Sequence, residues 1–177
     1  FKKYFRHEEN VGMMPYFVFA LNQCLGTYIA ICDGDDYWID PLKLRKQVDF
    51  LNKNPDFVIH SGNAIQLSEK LENNGKPIIK ETRNEVFTLK DFVSNNNIIA
   101  CTGLFRNMSF QFPESFKKIT FGDWFLYVIL IENTKSKSYR SSEIFSVYRI
   151  HDVGLMSNLS KLENYSAHIF QITTIYD

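Results

Sequence analysis

Tyr28-Ile29-Ala30-Ile31-Cys32-Asp33-Gly34-Asp35-Asp36 runs from an apolar stretch straight into a cluster of acids. Such a short, continuous apolar run predicts a strand buried on both faces of a parallel sheet. Three carboxylates within four residues cannot stay in a core, and they repel each other. Ligands of open α/β sheets gather beyond the carboxyl ends of the strands. The cluster falls at that edge, and a hard divalent cation is the natural group to neutralise it. Magnesium or manganese takes one or two protein carboxylates and fills its shell with water and phosphate oxygens. Gly34 lets the backbone turn with no side chain in the way. The bland alternative is an acidic surface turn, the commonest origin of Asp-Gly-Asp. A calcium loop of the EF-hand kind fails. Counted from Asp33, the sixth position is Trp38 rather than Gly, and the last is Leu44 rather than Glu.

Upstream, Phe17, Leu21, Cys24 and Leu25 recur at helical spacing, with Pro15 in the first turn and Gly26 as the stop. Downstream, Asp40-Pro41 reads as N-cap and first helical residue. Leu44, Val48 and Leu51 form the expected buried face, and Asn54-Pro55 ends the helix. Phe57 to His60 predicts a second strand. The polar stretch from Gln66 to Glu85, with Asn73-Asn74-Gly75 as a turn, predicts a loop. A short helix is expected over Thr88 to Val93 and a strand from Ile98 to Phe105, ending near Arg106. Trp124 to Ile131 is apolar throughout, and periodicity alone leaves helix and strand both open there. Tyr139 to Ile150 predicts a strand and Ser157 to Tyr176 a closing helix. Alternating helices and strands point to an α/β layer fold.

With 177 residues the chain suits one domain. Twenty basic residues balance 20 acidic ones, so nothing draws the protein toward nucleic acid, and a polynucleotide partner is excluded from the expectations. Cys24, Cys32 and Cys101 lie in apolar runs without a CxxC spacing and are expected to be buried thiols. No run of 18 apolar residues is present. The chain opens on Phe1-Lys2-Lys3-Tyr4-Phe5-Arg6, which reads as the interior of something longer, so a fragment is expected.

The resemblance to a known family rests on ordered matches. These are Glu9-Asn10-Val11-Gly12, Ala20-Leu21-Asn22, Gly26-Thr27-Tyr28-Ile29-Ala30, Asp33-Gly34-Asp35-Asp36-Tyr37-Trp38-Ile39-Asp40-Pro41-Leu42-Lys43-Leu44 and Gln47-Val48-Asp49-Phe50-Leu51. In this order and spacing they resemble the family 2 inverting glycosyltransferases of bacterial surface-polysaccharide pathways. The resemblance implies a GT-A-like, Rossmann-like α/β fold, with a mostly parallel sheet flanked by helices. It also implies that the first β-α-β unit is missing and that residues 1–177 form one catalytic domain, itself a fragment. Asp33, Asp35 and Asp36 then correspond to the DxD motif that holds Mg2+ or Mn2+ and the donor diphosphate, with Asp35 favoured as metal ligand.

In the second half Gly122-Asp123-Trp124 precedes the apolar run. An Asp there is either a residue of a helix start or a proton acceptor. The family carries a Gly-Asp-Trp at this place, which implies a helix and makes Asp123 the catalytic base. Trp124 is a candidate on the acceptor side, with packing as its other reading. Val147-Tyr148-Arg149-Ile150-His151, then Gly154 and Ser157, resembles the family segment that folds over the donor phosphates. His151 is implied as a metal ligand beside Asp35, and Arg149 as a phosphate partner. His7, His60 and His168 have no such company and read as surface or satisfied core residues. The implied reaction is hexosyl transfer with inversion from a nucleotide-sugar donor to a saccharide or lipid-linked acceptor. Its implied place is the cytoplasm, at the inner face of the membrane with peripheral contact. Two rivals stand beside it: a nucleotidyltransferase, which needs a Gly-rich basic loop that the sequence lacks, and a non-catalytic metal- or carbohydrate-binding module, which needs no Asp123.

Overall fold

The run from Trp124 to Ile131 lies in α4 (Gly122–Thr134), which buries Trp124, Phe125, Leu126, Tyr127, Val128, Leu130 and Ile131. A helix apolar almost all round belongs in the middle of a protein. The computed structural model that places it describes residues 3–68, 75–152, 154 and 159–176. The other helices are α1 (Met13–Asn22), α2 (Lys43–Lys53), α3 (Leu89–Ser94) and α5 (Lys161–Tyr176). The strands are β1 (Tyr28–Ala30), β2 (Tyr37–Trp38), β3 (Phe57–Leu67), β4 (Glu85–Phe87), β5 (Leu104–Arg106) and β6 (Lys137–Arg149). No helix among the described residues is long and apolar enough to cross a membrane.

The strands form a mixed sheet in the order β1-β5-β3-β6-β2, with β4 also paired to β6. Only β3 and β6 run parallel; β1–β5, β3–β5, β2–β6 and β4–β6 are antiparallel. The expected mostly parallel sheet is therefore corrected. Apolar runs report burial, whereas direction depends on crossovers, and parallel pairing needs a long connection carrying the chain back. Between β3 and β6 the chain has such a route, the last leg of it being α4. Among the described residues β1 pairs with β5 alone, and of its three residues only Ile29 is buried. β6 carries β4 along its first half and β2 along its second.

The buried face of α2 is not the predicted one. Leu44 is exposed, while Lys43, Gln47 and Leu51 are buried, Gln47 completely. Polar groups are tolerated there because each finds a partner. Gln47 Nε2 donates to His60 O at 2.8 Å and to Thr102 O at 2.9 Å, while Gln47 Oε1 accepts from Lys43 Nζ at 2.9 Å. The Lys43 ammonium also sits 4.4 Å from the centre of the Trp38 ring. Burial lowers its pKa to about 8. The Asp40 carboxylate does cap this region, accepting from Leu42 N at 2.8 Å, although the helix proper begins at Lys43.

Other expectations shift as well. Cys24 and Cys32 are exposed and only Cys101 is buried. The strand predicted over Ile98 to Phe105 is a 3-10 turn at Ala100–Thr102 followed by β5. β3 runs on to Leu67, well beyond His60, because Ser61, Gly62, Asn63 and Ala64 are buried without being mostly apolar. Within the Gln66 to Glu85 stretch, residues 69–74, and so Asn73 and Asn74 of the predicted turn, lie outside the described residues, as does Ser157. The closing helix begins at Lys161. His60 is a core residue but not a satisfied one: neither ring nitrogen has a hydrogen-bond partner among the described residues, and burial lowers its pKa to about 4.

Gly62 marks the tightest spot between β3 and β6. A Cβ there would stand 2.5 Å from Phe145 Cδ2 and 2.7 Å from Glu143 O. Gly62→Ala is therefore expected to destabilise the fold by about 1–3 kcal/mol. The loss should appear as a lower urea midpoint at unchanged slope.

Candidate active site

Residues 31–36 cross the end of the sheet, leaving β1 at one edge and entering β2 at the other. The acids are pinned as they cross. Asp36 Oδ1 accepts from the Arg149 backbone N–H at 2.9 Å. The Arg149 side chain reaches back and donates through Nε to the Asp35 carbonyl. His151 Nε2 lies 2.8 Å from Asp35 Oδ2. The end of β6 and the residues just after it thus meet the acidic loop, bringing together Asp35, Asp36, Arg149 and His151.

The electrostatics are those of a crowded anionic site. The Asp33 carboxyl is pushed up to about 6, first by burial, then by the charges of Asp123, Asp36 and Asp35. Asp36 is also raised by burial, against the Arg149 N–H and the Cys101 side chain, which lower it. Asp36 Oδ2 is buried without a hydrogen-bond partner among the described residues. The Cys101 thiol is held well above its usual range, by burial and then by Asp36, and stays protonated.

Asp123 belongs to the same constellation, since its charge is the largest acting on Asp33. Phe121 stands at the N-cap of α4 and Asp123 is the second helical residue, so it is not the cap. Its Oδ2 accepts from Asn96 Nδ2 at 2.9 Å. Burial raises its pKa, and the Asn96 amide together with the backbone N–H groups of Trp124 and Asp123 oppose that rise. Gly122 permits the close approach of α1 to this helix start: a Cβ would meet Met14 Sδ at 2.7 Å. Trp124 is 2% exposed, and its indole N–H donates to Phe92 O at 2.7 Å. Its ring is committed to the core, which corrects the acceptor-side candidacy and leaves the packing one.

Among the described residues no three His, Cys, Asp or Glu side chains are grouped to hold a metal ion between them. The chemistry of the donor set still fits a cation that relies on substrate oxygens. Neighbouring corners of an octahedron with bonds of about 2.1 Å are about 3 Å apart. Asp35 Oδ2 and His151 Nε2 already stand at 2.8 Å. Hollows of about 340 Å³ beside α1 and about 280 Å³ beside Trp38 and Lys43 lie away from the acids. Sequence reasoning missed Asn96, which reads only as part of an Asn-rich turn, and Tyr127. The Tyr127 hydroxyl is buried without a hydrogen-bond partner among the described residues, one helical turn from Asp123, and burial, Asp123 and Asp33 all raise its pKa.

A carboxylate cluster is thus closed over by a basic and an imidazole side chain at the end of an α/β sheet, the edge where ligands of such folds bind. The chain matches the family described as Glycosyl transferase family 2 over residues 2–112, and it belongs to that family. An uncharacterized protein of Mycobacterium bovis and two of Mycobacterium tuberculosis are each 28% identical to it over 153 residues. The match covers 84% of this chain and 42% of each relative, so the chain spans less than half the length of these curated relatives.

The raised Asp33 sets a pH signature. Its folded pKa of about 6 exceeds the ordinary 3.8, so the folded state binds the extra proton between those values. Stability from this group is therefore lost as pH rises through the window. His60, held at about 4 against 6.5 by burial, works the other way, so the Asp33 contribution is read from the difference between parent and variant. Asp33→Asn should therefore stabilise the metal-free protein by an increment near zero at pH 4, growing to its full size above about 6. Solvent screening limits it to about 0.5–1 kcal/mol. Urea midpoints of parent and variant across this range check it; an increment independent of pH would contradict the crowding.

Proposed function

We propose that the chain forms the reacting end of a cation-assisted, inverting hexosyltransferase of the surface-polysaccharide kind. It would move a sugar from a nucleoside-diphosphate sugar to a saccharide or lipid-linked acceptor at the cytoplasmic face of the membrane. The observation that carries this reading is the Asp35–His151 contact at 2.8 Å, made between segments far apart in sequence. His151 follows the end of β6, which closes at Arg149.

Asp35 and His151 would hold Mg2+ or Mn2+, with Asp33 and Asp36 beside them. When bound, the cation supplies positive charge against the diphosphate of the donor. The Arg149 guanidinium, tied through Nε to the Asp35 carbonyl, keeps its remaining N–H groups for phosphate oxygens. Asp123 takes the proton of the acceptor hydroxyl as its oxygen attacks the anomeric carbon. The bond from that carbon to the phosphate oxygen breaks, and its electron pair leaves on the diphosphate. A single displacement of this kind inverts the anomeric centre. No described residue is assigned to reading the nucleotide base.

Calorimetry on the full protein that carries this chain tests the diphosphate site. UDP, GDP and dTDP are titrated with Mn2+ and then with chelator. At least one should bind more tightly with the metal, and Asp35→Ala should remove the difference. Binding indifferent to metal in every case would sink the assignment. Asp123→Asn should leave that binding intact while sugar transfer falls by about 10²–10⁴-fold. Asn serves a helix start about as well as Asp, so transfer persisting near the parent rate would mark Asp123 as structural.

A further inference from the structure

The geometry points to Asn96 as the residue that positions Asp123 for proton removal, holding the carboxylate through its Oδ2; this rests on Asp123 being the base. The amide cannot be read either way round. Asn96 Oδ1 accepts from the backbone N–H of Ile98 at 3.1 Å, so the other end of the amide must be its NH2 group. That group lies 2.9 Å from Asp123 Oδ2 and can only donate. A donor favours the ionised form of a carboxylate. Asn96 thus opposes the burial that pushes Asp123 toward its protonated, useless state. With Oδ2 held by Asn96, and the backbone N–H groups of Trp124 and Asp123 also acting on the carboxylate, its rotation is set before an acceptor arrives.

Asn96 is itself held in place. Asn97 Nδ2 donates to Asp91 O at 2.8 Å and to Asn95 O at 3.2 Å, closing the turn. Arg140 of β6 donates through Nη1 to Asn97 O at 3.2 Å and is ion-paired with Glu85 of β4. At the other end of α3, Thr88 N and Oγ1 both donate to Asp91 Oδ2, at 2.7 and 2.8 Å. The orientation of Asp123 is therefore anchored through Asn96 to the sheet. The loop would close through the Ile98 contact alone, and the Asn96 NH2 group could then face water. Its use on Asp123 is what a purely structural asparagine does not need. The other titratable groups acting with Asp123 are Asp33 and the Tyr127 hydroxyl one turn along α4; among the described side chains it is the Asn96 amide that hydrogen-bonds to it.

The test follows the Asp123 carboxyl by carbon-13 NMR of aspartate-labelled full protein, its signal assigned through Asp123→Asn. Asn96→Ala removes the donor. Asn96→Asp keeps the acceptor for the Ile98 N–H, and so the loop, while placing a second carboxylate on Asp123. Both should raise the Asp123 titration midpoint, Asn96→Asp the more. The second readout is the pH dependence of nucleoside diphosphate release from UDP-, GDP- and dTDP-hexoses with Mn2+. Its acid limb should move upward in step and kcat should fall by about 10²-fold, with donor KM little changed. An Asp123 titration unmoved by either variant overturns the positioning role. A titration that moves while the rate profile does not, or while Asp123→Asn keeps its rate, overturns Asp123 as base and shows Asn96 holding a carboxylate with no part in the reaction.

Discussion

Gln47 is the fixed point of this structure. Its amide lies in a fully dry place, where an unpaired donor is costly, and both of its N–H groups are spent on backbone carbonyls, one on β3 and one on the turn at Ala100–Thr102. That turn then serves as an anchor. Cys101 O accepts from the Trp38 indole at 2.9 Å and from Ser146 Oγ at 2.8 Å, tying β2 and β6 to the same peptide. The acidic loop hangs between β1, paired to β5 just after the turn, and β2, pinned to the turn itself. Position and chemistry of the site therefore both trace to one buried side-chain amide and the carbonyls it satisfies.

The carboxylates exploit that rigidity. Asp33, Asp35, Asp36 and Asp123 stay together in spite of repulsion because each is held from behind by a donor on another segment or by the turn of its own chain. Arg149 grips Asp36 through its backbone and Asp35 through its side chain. Asn96 grips Asp123. Strain of this kind is common where charge must be concentrated, and it gives family 2 membership a local physical expression in this chain.

Much of this was legible in the sequence, unevenly. The end of β1, the acids after it, the cap at Asp40 and the burial of Trp124 to Ile131 follow from local chemistry, because apolar runs and turn residues act within a few positions; that the last is a helix came only with the family resemblance. The family resemblance brought Arg149 and His151 to the site, and no local pattern would have done so. Strand direction was not legible, since it depends on how the chain returns. The buried face of α2 was misread for a different reason. Hydropathy ranks Leu44 and Val48 above Lys43 and Gln47, yet the face that meets β3 has stranded carbonyls to satisfy, and hydrogen bonding outweighed apolarity there. Asn96 carried no signal because its partner is a residue far along the chain.

The path of residues 31–36 also bears on how the molecule comes together. They join strands at opposite ends of the sheet, each completed by a partner from much later in the chain: Tyr28 by Arg106 and Tyr37 by Val147. Contacts between residues so distant in sequence close only after long loops have been ordered, and folds rich in them assemble slowly. The acidic loop cannot acquire its shape from its own residues or from a half-built sheet. It becomes a loop of fixed form only when both edges are in place. Until then its carboxylates have no fixed neighbours, and repulsion among them costs least in water.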